Sequence, residues 1–321
     1  MPPESISAEE TPAASENHHG GALAIAFNRS SRRLQSSFYP RLPLKRQYAR
    51  PGDASEQEGG RWQDLLRNEV QQGLGSDVLA VRLHDDGLKV EEIETPSPDP
   101  GEVLVRVHAA AITRGELEWP VDRLPAIPSY ELSGVVVGSG DEVYALTPFD
   151  RDGVAAEYAV VPADVLAPKP LRLSHVEAAA LPMGGLTAWQ ALFVHGRLAR
   201  GERVLVTGAS GGVGHIAVQL ARHAGAAVVE SGPVDLVFDT RGGEVPAGER
   251  VVTIAEEMPG AIYFIVEPDH EQLLELRTLV DAGELRAEVD SVFPLTEARA
   301  AFERVAGRGK RGKVVLEVGT D

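Results

Sequence analysis

The chain has 321 residues, no cysteine, 33 glycines, 22 prolines and a formal charge of −17 at pH 7. Zero cysteine excludes a disulfide scaffold, a thiolate zinc site, an iron–sulfur cluster and a cysteine nucleophile. The acidity argues against a nucleic-acid partner, which would need a basic surface, and no apolar run approaches the roughly 18 residues of a membrane helix. The expectation is therefore a protein without nucleic-acid or membrane partners. The absence of thiols is compatible with a reducing compartment, and the cytoplasm is the expected one.

The charge is unevenly spread. Residues 1–16 hold four Glu and no basic residue, and residues 17–52 hold seven Lys/Arg and no Asp or Glu. Setting aside that −4 and that +7 leaves −20 for residues 53–321. Residues 1–76 are rich in Glu, Ser, Pro, Arg and Gly and lack sustained periodicity. Such composition cannot bury much apolar area, so a mostly disordered extension is expected. Within it, Trp62, Leu65, Leu66 and Val70 recur at helical spacing and predict a helix over residues 61–74.

From Asp77 the texture changes. Residues 78–83 and 88–93 read as two strands around an Asp86-Gly87 turn. Residues 102–111 form a long β run, followed by strands over 132–137, 143–146 and 155–161. Short strands separated by turn residues predict a mostly β unit, a small barrel. Residues 175–181 read as helix, and the pattern then becomes α/β.

The central feature is RVLVTGASGGVGHIAVQLARHAG at residues 203–225. An apolar strand over 204–207 meets a glycine-rich turn. A helix follows, with Val213, Ile216, Ala217, Leu220, Ala221 and Ala224 on one face. Residues 226–229 are the next strand. The turn reads A-x-G-x-x-G through Ala209, Gly211 and Gly214, close to the dinucleotide fingerprint G-x-G-x-x-G/A. The second glycine lets backbone approach a pyrophosphate, the third lets helix and strand pack closely, and the helix N-terminus offers free N–H groups. Ala209, Ser210, Gly211, Gly212, Val213 and Gly214 are the candidate cofactor-binding residues. An ordinary α/β turn without ligand is the competing reading. The fingerprint also expects an acidic residue about 20 positions on, for the ribose hydroxyls; Glu230 stands there, with Ser231 beside it. No Lys or Arg lies between Arg222 and Arg241, so the local pattern favours NADH over NADPH.

Several linked motifs carry a family resemblance across about 245 residues, from Asp77 on. They are PGEVLVRV at 100–107, GDEVY at 140–144, EAAALPMGGLTAW at 177–189, the turn region at 201–225, DLVFDTRGG at 235–243 and RGKVV at 311–315. The chain resembles the medium-chain dehydrogenase/reductase superfamily, in its zinc-independent quinone oxidoreductase-like branch. The resemblance implies an α/β fold: a GroES-like β domain at 77–174, completed by 286–321, and a Rossmann-type cofactor domain at 175–285. It implies NADPH as cofactor, hydride transfer to a quinone or an α,β-unsaturated carbonyl, and a homodimer. It places Thr187 near the nicotinamide and adds Lys313 to the cofactor residues. The positions of the family's Cys, His and Cys zinc ligands correspond to Thr113, Tyr130 and Met183, so no metal is expected. Without a metal, Tyr130 and Thr113 are the candidate catalytic residues and Trp119 a face for the substrate; each is also readable as a structural residue.

The chain departs from the family after residue 231. Only Ser231, Gly232 and Pro233 separate the stretch at 226–230 from the apolar run at 234–239, where a βαβ unit takes roughly 30 residues. The third strand of the parallel sheet and its helices are expected to be missing, leaving a trimmed Rossmann domain. A degenerate, non-catalytic member acting as a binding or scaffolding protein is the alternative function, and different chemistry on the same fold is a third.

Overall fold

The computed structural model describes residues 77–319, which fall in a unit spanning Ala49–Asp321. The disordered extension expected over residues 1–76 and the helix expected over 61–74 lie outside the described residues.

Strands β1 (Asp77–His84) and β2 (Gly87–Glu94) form an antiparallel hairpin. The register pairs His84 with Gly87, so Asp85 and Asp86 make the turn and Gly87, at φ 115°, opens the second strand. This is one residue earlier than the sequence suggests.

The β unit is a seven-stranded sheet. Its members are β3 (Glu102–Ile112), β4 (Glu131–Val136), β5 (Glu142–Leu146), β6 (Tyr158–Pro162), β7 (Ala167–Pro168), and two strands from the C-terminal region described below. The long β3 pairs with β4 along one edge and with β6 along half of the other. The strand expected over 155–161 is shorter because residues 155–157 turn to β1: the Val81 N–H donates to the Ala155 carbonyl and the Glu157 N–H to that of Leu79.

Helix α1 (His175–Ala179) starts at a capping box, in which Ser174 and Glu177 satisfy each other's backbone N–H groups. Helix α2 (Pro182–Trp189) follows and continues as a π-helical turn over Gln190–His195. Then come β8 (Arg203–Val206), α3 (Gly214–His223), β9 (Ala227–Val228), β10 (Leu236–Asp239), β11 (Arg250–Thr253), β12 (Ile262–Tyr263) and α4 (His270–Asp281). Finally β13 (Val289–Pro294), α5 (Ala298–Ala306) and β14 (Lys313–Glu317) return to the β unit, with β14 antiparallel to the end of β3.

The parallel sheet runs β12-β11-β10-β8-β9. Its chain order reverses between β8 and β10, which creates a crevice at the strands' carboxyl ends. The sheet stops at β9, and among the described residues no helix lies between β9 and β11. Its strands alternate: Val204, Val206, Leu236, Phe238 and Val252 join the helix-facing core, while Leu205 and Val237 point to the other face. That second face is covered by loop residues such as Val234 and Val245 and the close backbone of Gly248.

The main core is shared by both halves, since Tyr130, Tyr144 and Leu146 of the β unit pack with residues of the parallel-sheet half. The fully buried Tyr144 hydroxyl donates to the Leu273 carbonyl in α4 at 2.5 Å. Tyr144→Phe keeps the packing and removes this bond. Urea unfolding should show a loss of about 1 kcal/mol; unchanged stability would mean the bond contributes nothing between the halves.

Candidate active site

The glycine turn closes at the end of β8. The Gly211 N–H donates to the Gly208 carbonyl at 2.9 Å. A Cβ on Gly214 would collide with the Gly208 carbonyl, so the third glycine is required for strand–helix contact. A Cβ on Gly211 would meet only the Gly208 oxygen, at 3.2 Å, and would otherwise point into open space. Ala209 and Ser210 form the exposed tip. Among the described residues no acceptor takes the N–H groups of Ser210, Gly212, Val213 or Gly214. These features fit a dinucleotide pyrophosphate, whose oxygens would find donors and no side chain in the way.

His215 fixes this turn. Its buried ring uses Nδ1–H toward the Gly211 carbonyl at 2.8 Å, while Nε2 accepts from the Glu288 N–H at 3.1 Å. Burial holds its pKa below the ordinary histidine value, against the bond to Gly211, so the neutral ring persists. One helical turn on, Gln219 exchanges two bonds with the backbone of Arg286. Together these side chains fasten α3 to the segment entering β13.

From the opposite side comes β14. Gly211 bridges Gly312, and a Cβ on Gly212 would lie 3.0 Å from the Lys313 Cδ. The Lys313 stem therefore lies against the turn. Its ammonium points onward to the Thr113 hydroxyl at 2.8 Å and forms a buried ion pair with Glu131. The other Glu131 oxygen accepts from the Met183 N–H at 2.9 Å, near the start of α2. Thr187 lies one turn on, buried, with its hydroxyl on the Met183 carbonyl at 2.6 Å.

Thr113 and Tyr130 are brought together by a residue the sequence reading passed over. Glu116 is buried, and its carboxyl accepts from the Thr113 N–H at 2.8 Å and the Ser129 N–H at 3.2 Å. Burial pushes its pKa up to about 8, against the Thr113 N–H and the Lys313 charge, with Glu131 adding to the rise. Ser129 takes a left-handed φ of 66°, costly for a non-glycine residue. Its hydroxyl donates to the Ala111 carbonyl, and Thr147 bonds the Tyr130 carbonyl twice. Tyr130 then packs with Trp119 and Phe149, ring centroids 5.9 and 5.2 Å away. Burial, aided by Glu116 and Asp152, raises the Tyr130 pKa above that of a free phenol, so the hydroxyl keeps its proton. Glu230 and Ser231 sit exposed after β9, at the outer strand of the sheet.

Two further cations were not legible as site residues. Lys313 and Arg114 lie within electrostatic reach of Lys310; burial first, and then these like charges, hold the Lys310 pKa below the ordinary lysine value.

Residues 99–171 match the alcohol dehydrogenase GroES-like domain, and residues 213–316 match a domain described as zinc-binding dehydrogenase. A probable zinc-binding oxidoreductase, mitochondrial, of Arthroderma benhamiae is 32% identical over 308 residues, covering 72% of this chain and 93% of that protein. The chain belongs to the medium-chain dehydrogenase/reductase superfamily. Within this superfamily, the chloroplastic NADPH-dependent alkenal/one oxidoreductase of Arabidopsis thaliana is 29% identical, over 72% of this chain and 76% of its own. The quinone oxidoreductase from Coxiella burnetii superimposes with a TM-score of 0.68 at 26% identity, over 76% of this chain and 100% of that one. The organelles in two of these names lend no support to the cytoplasmic expectation. No helix among the described residues is long and apolar enough to cross a membrane.

Two of the names speak of zinc, and the donor set here does not fit it. At the positions that the family resemblance aligns with the zinc ligands, Thr113, Tyr130 and Met183, this chain offers a hydroxyl, a phenol and a thioether, with the Lys313 ammonium bonded to that hydroxyl. Among the described residues no group of three His, Asp or Glu side chains is placed to hold a metal ion.

Glu116 makes the site pH-sensitive. Its folded pKa of about 8 stands above the ordinary 4.5. The folded state therefore binds the proton more tightly than the unfolded chain, and stability falls as pH rises between those values. Glu116→Gln should remove this component. Melting curves from pH 4.5 to 8.5 should show a shallower decline in the variant; parallel declines would show that Glu116 ionises normally.

Proposed function

We propose that the protein is an NAD(P)H-dependent oxidoreductase that reduces a quinone or an α,β-unsaturated carbonyl without a metal. The observation that carries this reading is the contact of the Lys313 stem with the glycine turn, which sets the candidate dinucleotide cradle against the buried Thr113–Lys313–Glu131 cluster, while Glu116 ties Thr113 to the segment that carries Tyr130. A bound nicotinamide supplies a hydride to the electrophilic carbon. The substrate then needs one proton and a polarised oxygen. Tyr130, kept protonated by burial, is the donor, and the Thr113 hydroxyl, held by Lys313, orients the oxygen. Trp119, whose ring lies within 28° of the Tyr130 ring plane and meets Phe149 edge-on, gives an apolar aromatic face suited to an aromatic or conjugated substrate. NADPH is the cofactor the family resemblance favours, while Glu230 at the end of β9 fits NADH's ribose hydroxyls better than a 2′-phosphate.

A second reading is a non-catalytic binding protein. The parallel sheet ending at β9 favours it, because the wall beside the adenosine half is missing. The family's homodimer remains part of our reading, supported by exposed Ile262, Tyr263 and Ile265 at the outer strand β12; a monomer mass by light scattering would overturn it.

Tryptophan fluorescence during titration with NADPH and NADH separates the two functions. The enzyme should bind at least one saturably and oxidise it with a quinone or an enone. Gly211→Val should fold normally and lose binding, since only one atom opposes the new side chain. Tyr130→Phe should bind as before and turn over about 100-fold more slowly. Absence of binding up to millimolar concentration sinks the catalytic reading.

A further inference from the structure

At the carboxyl end of β10, Asp239 is buried and ties three segments together. It accepts from the Thr207 hydroxyl at 2.6 Å, the Thr253 hydroxyl at 2.9 Å, and the N–H groups of Arg241 and Gly242. Burial works to raise its pKa, but these donors outweigh it and hold the carboxyl below the ordinary range. Thr240 adds two bonds to Thr207, at the end of β8. The strand ends that flank the crevice are thus locked, and the backbone of Arg241 is fixed within it.

The side chain of Arg241 lies across the glycine turn. A Cβ on Gly208 would meet its Cγ at 3.0 Å and its Cδ at 3.3 Å. The residue is nonetheless exposed, and no ion pair or hydrogen bond of its guanidinium is found among the described residues. Contrast Lys313 on the other side of the same turn, whose ammonium is already held by Glu131 and Thr113. An exposed cation laid over a phosphate cradle, from the strand where the sheet order reverses, stands where a dinucleotide phosphate would cross. A guanidinium suits that role because its donors match phosphate oxygens two at a time.

We infer that Arg241 binds the phosphate on the nicotinamide side of the cofactor, replacing contacts that the trimmed sheet cannot make to adenosine. The inference rests on the proposed NAD(P)H site and adds to it how selectivity arises. Affinity should reside in the nicotinamide mononucleotide half. The 2′-phosphate should matter little, because the exposed end of β9 carries Glu230, and the cation that reaches the residues after it, Arg203, already donates to the Ser231 and Pro233 carbonyls.

The test is calorimetric titration of the full-length protein with NADH, NADPH, reduced nicotinamide mononucleotide and inorganic pyrophosphate, each at several salt concentrations. Arg241→Gln should weaken the three nucleotides by a similar factor of about 10–100. It should also flatten the salt dependence of binding, and Arg241→Lys should recover part of the loss. Circular dichroism verifies folding of each variant. Equal affinity of wild type and Arg241→Gln overturns the inference, as does tighter binding by the variant, which would make Arg241 a plug. Loss confined to NADPH also overturns it, since Arg241 would then read the 2′-phosphate. If wild type binds pyrophosphate but no nucleotide and Arg241→Gln loses the pyrophosphate, the cofactor reading fails while the phosphate contact stands. Binding of none of the four overturns both.

Discussion

The ion pair between Lys313 and Glu131 is the joint on which the site depends. Lys313 opens β14 and Glu131 opens β4. The remaining Glu131 oxygen holds the start of α2, and the Lys313 stem rests against Gly212. Four parts of the chain, more than a hundred residues apart at their extremes, thus meet around one pair of buried charges. Burying two charges costs several kcal/mol each, so such a pair adds little net stability. Its consequence is registry. Both groups must be paired to be buried at all, and only one docking of the glycine turn against the β unit pairs them. Gly312 enforces the same docking, since a side chain there would collide with the Glu288 carbonyl.

The parallel sheet shows how much of a dinucleotide fold can be removed before its chemistry is lost. The seven residues between β9 and β10 leave no room for a further strand and helix, and β9 becomes an edge. The crevice between β8 and β10 survives because its two walls are tied by Thr207, Asp239, Thr240 and Thr253, all of which lie at the strand ends. What is removed is the adenosine wall. What is kept is the glycine turn, docked against the Lys313 stem. Of the cations, the Lys313 stem lies along the turn with its charge paired to Glu131, and the exposed Arg241 lies over Gly208.

Much of this fold was legible in one dimension. Period-2 strands, a 3.6-period helix after a glycine turn, and the short link after β9 are local signals, and each produced the element it predicted within a residue or two. The strand over 155–161 fell short because its first half pairs with β1, a choice made by distant chain. For the candidate site, Thr113 and Tyr130 were named through the family resemblance and the glycine turn through its motif. Glu116, His215 and Arg241 were not, for a common physical reason. A glutamate in a loop, a histidine on a helix and an arginine after a strand are ordinary surface residues until burial or a neighbouring backbone gives them a partner. The sequence places the next cation after Arg222 at position 241, too far along the chain to be counted with the turn at 208–214; β8 and β10 are adjacent in space, and that pairing brings Arg241 onto Gly208.

The opening arithmetic carries the same division. The absence of cysteine, the glycine spacing and the short link after β9 are properties of the chain itself. They determined a family member without thiolate zinc ligands and with a shortened cofactor half. The net charge determined only the mean field. Which carboxyl is driven to hold its proton and which cation lies over the turn were decided by tertiary structure, because desolvation and pairing act between groups that sequence distance does not relate.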